Sequence, residues 1–314
     1  MPDVSVVIPT YNRKEYLRQA IASCLDGNNA VDVEIVVVDD GSSDGTRAYL
    51  EDLEHEQVRT IFQRHQGGQI ARNRGLAEAQ ATYLKFLDDD DWLEQGVLTR
   101  EVSALKQTGA DVCLGPYLAV NEEGTVVSRK SNPYFEDFVA EVLRGGISPH
   151  TLHLTYRREF IRDLQWDPEI IGRQDVQFLV DVALREPSTV KVDQTVGYMR
   201  HHGGRRQSKH AAQETNLPRV HASILLRAVR TLEREGRLGV QRRQAAAEGL
   251  WGWAHILSAY DWTMFQKVYE MIRRIHPDFA PSRTPRLLKL VDQIGTPEVT
   301  EALLHPFRRL KYGL

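Results

Sequence analysis

Cysteine is scarce in this chain, with two residues, Cys24 and Cys113, among 314. They lie far apart, each inside an apolar stretch, which excludes a disulfide scaffold and suits reduced core thiols better than a bridge or a metal centre. Long apolar runs are also missing. Val4–Ile8 and Ile35–Val38 are strand-sized, far below the ~18 residues of a spanning helix, so no transmembrane segment is expected. Met1-Pro2-Asp3 carries no positive n-region and the first apolar run breaks at Pro9, so no secretory leader is expected either and the expected location is cytoplasmic. A strong charge of one sign is absent overall, the formal net being −3. No nucleic-acid partner is expected.

What is present is ordinary for a folding chain: 41% hydrophobic and 26% charged residues, near the globular averages. The length fits two domains, or one large α/β domain with an appendage. The near-neutral total hides a division. Residues 1–200 hold 21 Lys/Arg against 33 Asp/Glu, a net of −12, whereas residues 201–314 hold 19 against 10, a net of +9. Two surfaces with different partners and two solvated faces both account for it.

Strand-like and helix-like patterns alternate through the first two hundred residues, the signature of a mostly parallel sheet with helices on its faces. Strands are expected at 4–8, 33–38, 58–62, 82–87 and 110–114, with helices at 13–25, 44–53, 69–79 and 93–107 between them. Residues 115–131 read as a hairpin around Gly124, where the sheet is expected to become mixed. A helix (135–143), a strand (152–155), a helix (176–185) and a strand (189–199) follow. Beyond Ser208 the pattern turns helical, with helices at 217–235 and 250–259. The expected fold is therefore α/β with a central, mostly parallel sheet in residues 1–210 and a helical region in 211–314.

Ligands of open parallel sheets bind outside the carboxyl ends of the strands. Three polar clusters stand there: Pro9-Thr10-Tyr11-Asn12-Arg13, Asp39-Asp40-Gly41-Ser42-Ser43-Asp44-Gly45 and the run Asp88–Asp91. Four successive carboxylates repel one another, and a divalent cation with hard oxygen ligands, Mg²⁺ or Mn²⁺, is the simplest relief. An acidic first helical turn is the alternative. Asp39 to Ser42 reads either as an Asx turn or as an acceptor for base N–H and ribose hydroxyl groups. Gly67-Gly68 permits close backbone approach and sets Arg72 at a helix start, suiting a nucleotide or its phosphates.

In combination, VSVVIPTYNR at 4–13, IVVVDDGSSDGT at 35–46, GGQIARNRGL at 67–76 and YLKFLDDDDW at 83–92 resemble the family 2 glycosyltransferases of GT-A fold. The resemblance is specific over residues 3–115 and looser to about 210. It implies an inverting transferase that uses a nucleotide-diphosphate sugar, by default a UDP sugar, with residues 1–115 binding the donor and 116–210 the acceptor. Polysaccharide, O-antigen or another cell-surface glycan is the implied product. Pro9, Thr10 and Tyr11 then match the loop around the base, Asp40 the acid contacting base or ribose, and Gly68 and Arg72 the nucleotide-binding Gly segment. Asp88 and Asp90 match the two acids of the Asp-X-Asp motif. Asp90 becomes the direct metal ligand and Asp88 a contact to ribose or metal-bound water, with Asp89, where small residues are common, at the nucleotide. Asp175 aligns with the catalytic base, preceded by Gln174 where the family usually has Glu. His202 aligns with a further metal or phosphate contact, and Arg205 and Arg206 with charges facing the leaving diphosphate.

Two rivals remain at this point, a sugar nucleotidyltransferase and a non-catalytic glycan- or partner-binding module on the same fold. Near the end, Leu303, Leu304 and Phe307 precede Arg308, Arg309 and Lys311. That pattern suits peripheral docking on an anionic membrane carrying a lipid-linked acceptor, or a helical cap on the catalytic domain or on a second subunit of a homo-oligomer.

Overall fold

The computed structural model describes residues 1–28, 30–131, 133–201, 217–259 and 261–280. His202, Arg205, Arg206 and the tail 281–314 lie outside the described residues. Two compact units emerge. The first takes Met1–Tyr134, Ser148–Phe178 and residues 185–201; the second takes Phe135–Ile147, Leu179–Leu184 and the described residues from 217 to 280. The second unit thus draws two segments from inside the first 210 residues.

In the first unit the strands are β1 (Val4–Thr10), β2 (Val33–Asp39), β3 (Val58–Phe62), β4 (Tyr83–Phe86), β5 (Trp92–Leu93), β6 (Val112–Leu114), β7 (Tyr117–Val120), β8 (Val126–Lys130), β9 (Leu154–Arg157), β10 (Thr189–Lys191) and β11 (Gly197–Arg200). Seven form one sheet in the order β10-β6-β9-β4-β1-β2-β3. All seven residues of β1 are buried, as expected of a central strand covered on both faces. Pairing of β1 with β2 and β4, and of β2 with β3, is parallel, so the carboxyl ends of these strands share one rim. The helices α1 (Lys14–Leu25), α2 (Thr46–Glu51), α3 (Gly68–Glu78) and α4 (Val97–Thr108) connect them. On α1, Leu17, Ala20, Ile21 and Cys24 are buried at helical spacing. Helix α3 lies so close to β1 that a Cβ on Gly75 would stand 2.2 Å from Val7 Cγ1. Both cysteines are buried and free.

Three expectations need correction. The sheet becomes mixed at β9, antiparallel to both β4 and β6, and not at the hairpin. The hairpin β7–β8 instead joins a second, four-stranded sheet ordered β5-β11-β7-β8. Residues 189–199 split into β10 and β11, one in each sheet, because the chain must leave the first sheet to pair with β7. Leu93, expected to open a helix, instead pairs with β11 together with Trp92, and α4 starts only after Gly96 in the left-handed region at φ 68°.

One charge pair is sealed in this core. Lys85 Nζ lies 3.0 and 3.1 Å from the two oxygens of Glu101 and 3.1 Å from Thr155 Oγ1, and Thr155 in turn donates to Glu101 at 2.7 Å. All three residues are fully buried.

The remaining helices are α5 (Phe138–Arg144), the short α6 (Arg158–Ile161), α7 (Gln174–Ala183), α8 (Leu217–Arg234), α9 (Val240–Leu257) and α10 (Trp262–Ile275). Within the second unit α9 packs on α5, α8 and α10. Ion pairs Arg144–Glu248 and Arg242–Asp137, each at 2.6 Å, border the α5–α9 contact. Helix α9 begins ten residues before the expected one at 250, because Ala245, Ala246 and Ala247 extend its buried face. Helix α10 was not anticipated; Asp261 caps it by accepting from Met264 N at 3.0 Å. Among the described residues no helix is long and apolar enough to cross a membrane.

Candidate active site

The shared rim opens into a cavity of about 440 Å³, lined by residues from all three sequence clusters together with Arg72, His150, Asp175 and Arg200. Pro9, Thr10, Tyr11, Asp40, Gly68, Arg72, Asp88, Asp89, Asp90 and Asp175 all line it. Residues as far apart in sequence as Pro9 and Arg200 are therefore neighbours, because the strand ends and the loops after them meet at one edge.

The acid run is held by two arginines. Arg13 Nη1 donates to Asp89 Oδ1 at 3.1 Å and to Asp90 Oδ2 at 2.5 Å. Arg72 Nη2 donates to Asp88 Oδ1 at 2.5 Å while its guanidinium stacks 4.8 Å over Trp166. Gly68 leaves room for this arginine, since a Cβ there would stand 3.1 Å from Arg72 Nη1. For Asp88 burial acts upward, but Arg72, His150 and Arg13 outweigh it and hold the carboxyl below its usual range. Asp89 differs. Burial, opposed by Arg13 and reinforced by Asp90, pushes it up to about 7, and Thr10 Oγ1 donates to its Oδ2 at 2.8 Å. It therefore ties the β1 loop to the acid run.

Asp91 is 2% exposed. Its Oδ1 accepts from Arg200 N at 2.9 Å, whereas its buried Oδ2 has no hydrogen-bond partner. Burial, then Asp90, Asp88 and Asp89, drive its pKa well above the usual carboxylate range. An orphaned oxygen among like charges fits a divalent cation. Ligand atoms of Asp88, Asp91 and His150 lie within 4.8 Å of one another. His150 Nε2 stands 3.5 Å from Asp91 Oδ2, and its Nδ1 accepts from Leu152 N at 3.3 Å. Asp90, expected as the direct ligand, faces Arg13.

Asp40 serves a neighbouring loop. Its Oδ1 accepts from Gln63 Nε2 at 2.7 Å and Gln66 N at 2.9 Å, and its Oδ2 from Gly67 N at 2.8 Å, with His65 Nδ1 2.9 Å away. Both oxygens thus fasten the loop 63–67, which lays His65 against Tyr11 with ring centroids 4.1 Å apart. The preceding acid, Asp39, accepts from Ser42 N, three residues on, at 3.1 Å, closing the turn that passes through Gly41 at φ 83°.

Asp175 lies in the first turn of α7, its Oδ1 buried and without a hydrogen-bond partner. Burial raises its carboxyl to about 6, with Arg72 lowering and Asp88 raising it. Its position is set from a distance: Asn73 on α3 exchanges two 2.8 Å hydrogen bonds with the backbone of Trp166, and Gln177 donates to Gln165 O and accepts from Asp167 N, each at 3.0 Å.

The family model for Glycosyl transferase family 2 matches residues 5–184. The chain belongs to that family. An uncharacterized glycosyltransferase of Haemophilus influenzae is 29% identical over 184 residues, 58% of this chain and 72% of the relative. The GalNAc(5)-diNAcBac-PP-undecaprenol beta-1,3-glucosyltransferase of Campylobacter jejuni is 38% identical over 103 residues, 32% of this chain and 33% of its own length. The crystal structure of S. aureus TarS 1–349 in complex with UDP-GlcNAc superposes with a TM-score of 0.62 at 17% identity, covering 88% of this chain and 90% of that one. The fold is GT-A, and the chain is a glycosyltransferase.

Sequence reasoning missed Arg13, His65 and His150 as site residues. Arg13 stood in the quoted motif beside Tyr11, and its charge was the available signal. His65 and His150 carried none, because only the fold brings them to Asp40 and Asp91.

Proposed function

We propose that this glycosyltransferase is inverting and metal-dependent, transferring a sugar from a nucleoside-diphosphate sugar to a hydroxyl of a cell-surface glycan. The observation that carries this reading is the single cavity holding both an under-compensated acid run and, on another element, a carboxyl raised to about 6 with a buried free oxygen. An inverting displacement needs those two functions and keeps them on separate groups.

Asp175 accepts the acceptor hydroxyl's proton as its oxygen attacks the anomeric carbon, and the bond to the diphosphate breaks on the opposite face. Arg72 remains against Asp88 and holds that acid ionised. Tyr11 and His65 offer a stacked aromatic edge to the base, with Asp40 fixing the loop that carries His65. Asp88, Asp90 and Asp91 would hold Mg²⁺ or Mn²⁺, which when bound neutralises charge on the departing diphosphate. A UDP sugar as donor is supported by the UDP-GlcNAc complex of the fold neighbour. The undecaprenol-linked glycan in the Campylobacter relative's name supports a lipid-linked or other surface glycan as acceptor.

The test is incubation with Mn²⁺ and a panel of nucleotide sugars, scoring nucleoside diphosphate release, followed by NMR of the product made from the active donor. A β-linked product from an α-linked donor supports the reading. An α-linked product, or pyrophosphate release from a nucleoside triphosphate, contradicts it.

A further inference from the structure

Arg13 and Arg72 both neutralise the acid run, but they are built differently. Arg72 is 7% exposed and clamped over Trp166. The Arg13 side chain is 27% exposed, lines the cavity, and serves Asp89 and Asp90 through one nitrogen, Nη1. Its backbone is anchored just before α1, where its N–H donates to Thr46 Oγ1 at 3.3 Å. Its guanidinium is therefore delivered to the acids by the fold while its outer end stays open to the cavity.

Asp90, one of the acids that would hold the cation on the reading above, has its Oδ2 2.5 Å from Arg13 Nη1. A divalent cation on that carboxylate and the guanidinium held against it repel each other, which weakens the hold of each. Resting on the metal-dependent reading above, we infer that Arg13 is an internal counter-cation that a divalent ion must displace from Asp90. It weakens metal binding by the nucleotide-free protein, and once displaced its guanidinium faces the cavity, where a diphosphate can take it. Metal and nucleotide affinity are thereby coupled through one side chain.

The test is calorimetric titration of the nucleotide-free full chain with Mn²⁺, then of the Mn²⁺-saturated chain with UDP. Arg13→Met should bind Mn²⁺ more tightly by roughly 5-fold or more, the weight of about one part-buried ion pair, yet bind UDP more weakly. Lys14→Met, which removes the same charge one residue along, should change Mn²⁺ affinity by less than about 2-fold. In an Asp90→Asn background the Arg13→Met gain should vanish. Should the methionine variant melt early, Arg13→Gln, which keeps a hydrogen bond to Asp89, gives the same readout. Unchanged or weaker Mn²⁺ binding in Arg13→Met, or an equal gain in Lys14→Met, overturns the displacement while leaving metal dependence standing. Absence of Mn²⁺ binding in every protein, wild type included, with or without UDP, overturns the metal reading and this inference with it.

Discussion

Strand β4 and the loop after it carry two charge clusters only three residues apart, Lys85 within the strand and Asp88 at the start of the acid run. The Lys85 cluster is closed. The ammonium faces Glu101 and Thr155, Thr155 donates back to Glu101, and the formal charges cancel. The acid run is open: Asp88, Asp89 and Asp90 meet Arg13 and Arg72, while Asp91 accepts from Arg200 N and its Oδ2, 3.5 Å from His150, has no hydrogen bond. A buried charge that is fully answered holds a fold together, whereas one left short waits for a ligand. The same strand does both, because its interior lies between layers and its carboxyl end lies on the rim.

The largest expected effect sharpens the open side. Asp175→Asn keeps the shape but cannot accept a proton, so transfer should fall by ~10²–10⁴ while the donor KM stays nearly constant. An equal loss of donor binding would move Asp175 out of the base role. Next comes the acid run. Asp90→Ala and Asp91→Asn should each lower metal-dependent nucleotide affinity beyond the ~10–100-fold that outer-shell changes cost, with little loss of melting temperature. Wild-type affinity in both would break the comparison.

On the closed side the expectation reverses. Lys85→Met strands Glu101 in the core and should cost about 3–5 kcal/mol of stability, whereas replacing both partners by apolar residues of similar size should cost far less. Urea denaturation separates the two. Transfer per folded molecule should change little, and a large loss would show that the closed cluster also serves chemistry.

The smallest effect is a pH dependence. A carboxyl raised to about 6 is protonated below that value and cannot take a proton, so transfer should fall as pH drops through 6, by about tenfold per unit well below it. Activity that stays flat from pH 7 to pH 5 would remove the base assignment. The limb should disappear from the residual activity of Asp175→Asn.

The sequence made the open cluster visible because it is local: a buried apolar strand followed at once by four acids is a one-dimensional pattern. The same holds for β1, β2 and α1, whose apolar runs decide their own burial. The closed cluster was invisible, since Lys85 on β4, Glu101 on α4 and Thr155 on β9 meet only when helix α4 packs on the sheet. The division of 189–199 between two sheets was equally hidden, because it depends on where β7 lies. Asp40 shows the middle case. Its place at a strand end was legible, but its four partners come from residues 63–67, so its service to that loop was not. Asp175 was placed by resemblance, while the Asn73–Trp166 exchange that positions it spans 93 residues.

The central claim is that the acid run is left short of charge for a metal and a diphosphate, and UDP titration of the wild-type chain with and without Mn²⁺ tests it most directly. Saturating Mn²⁺ should tighten UDP binding by roughly 10-fold or more, and exhaustive chelation should abolish the gain. UDP affinity that is the same in Mn²⁺ and in chelator would contradict the account.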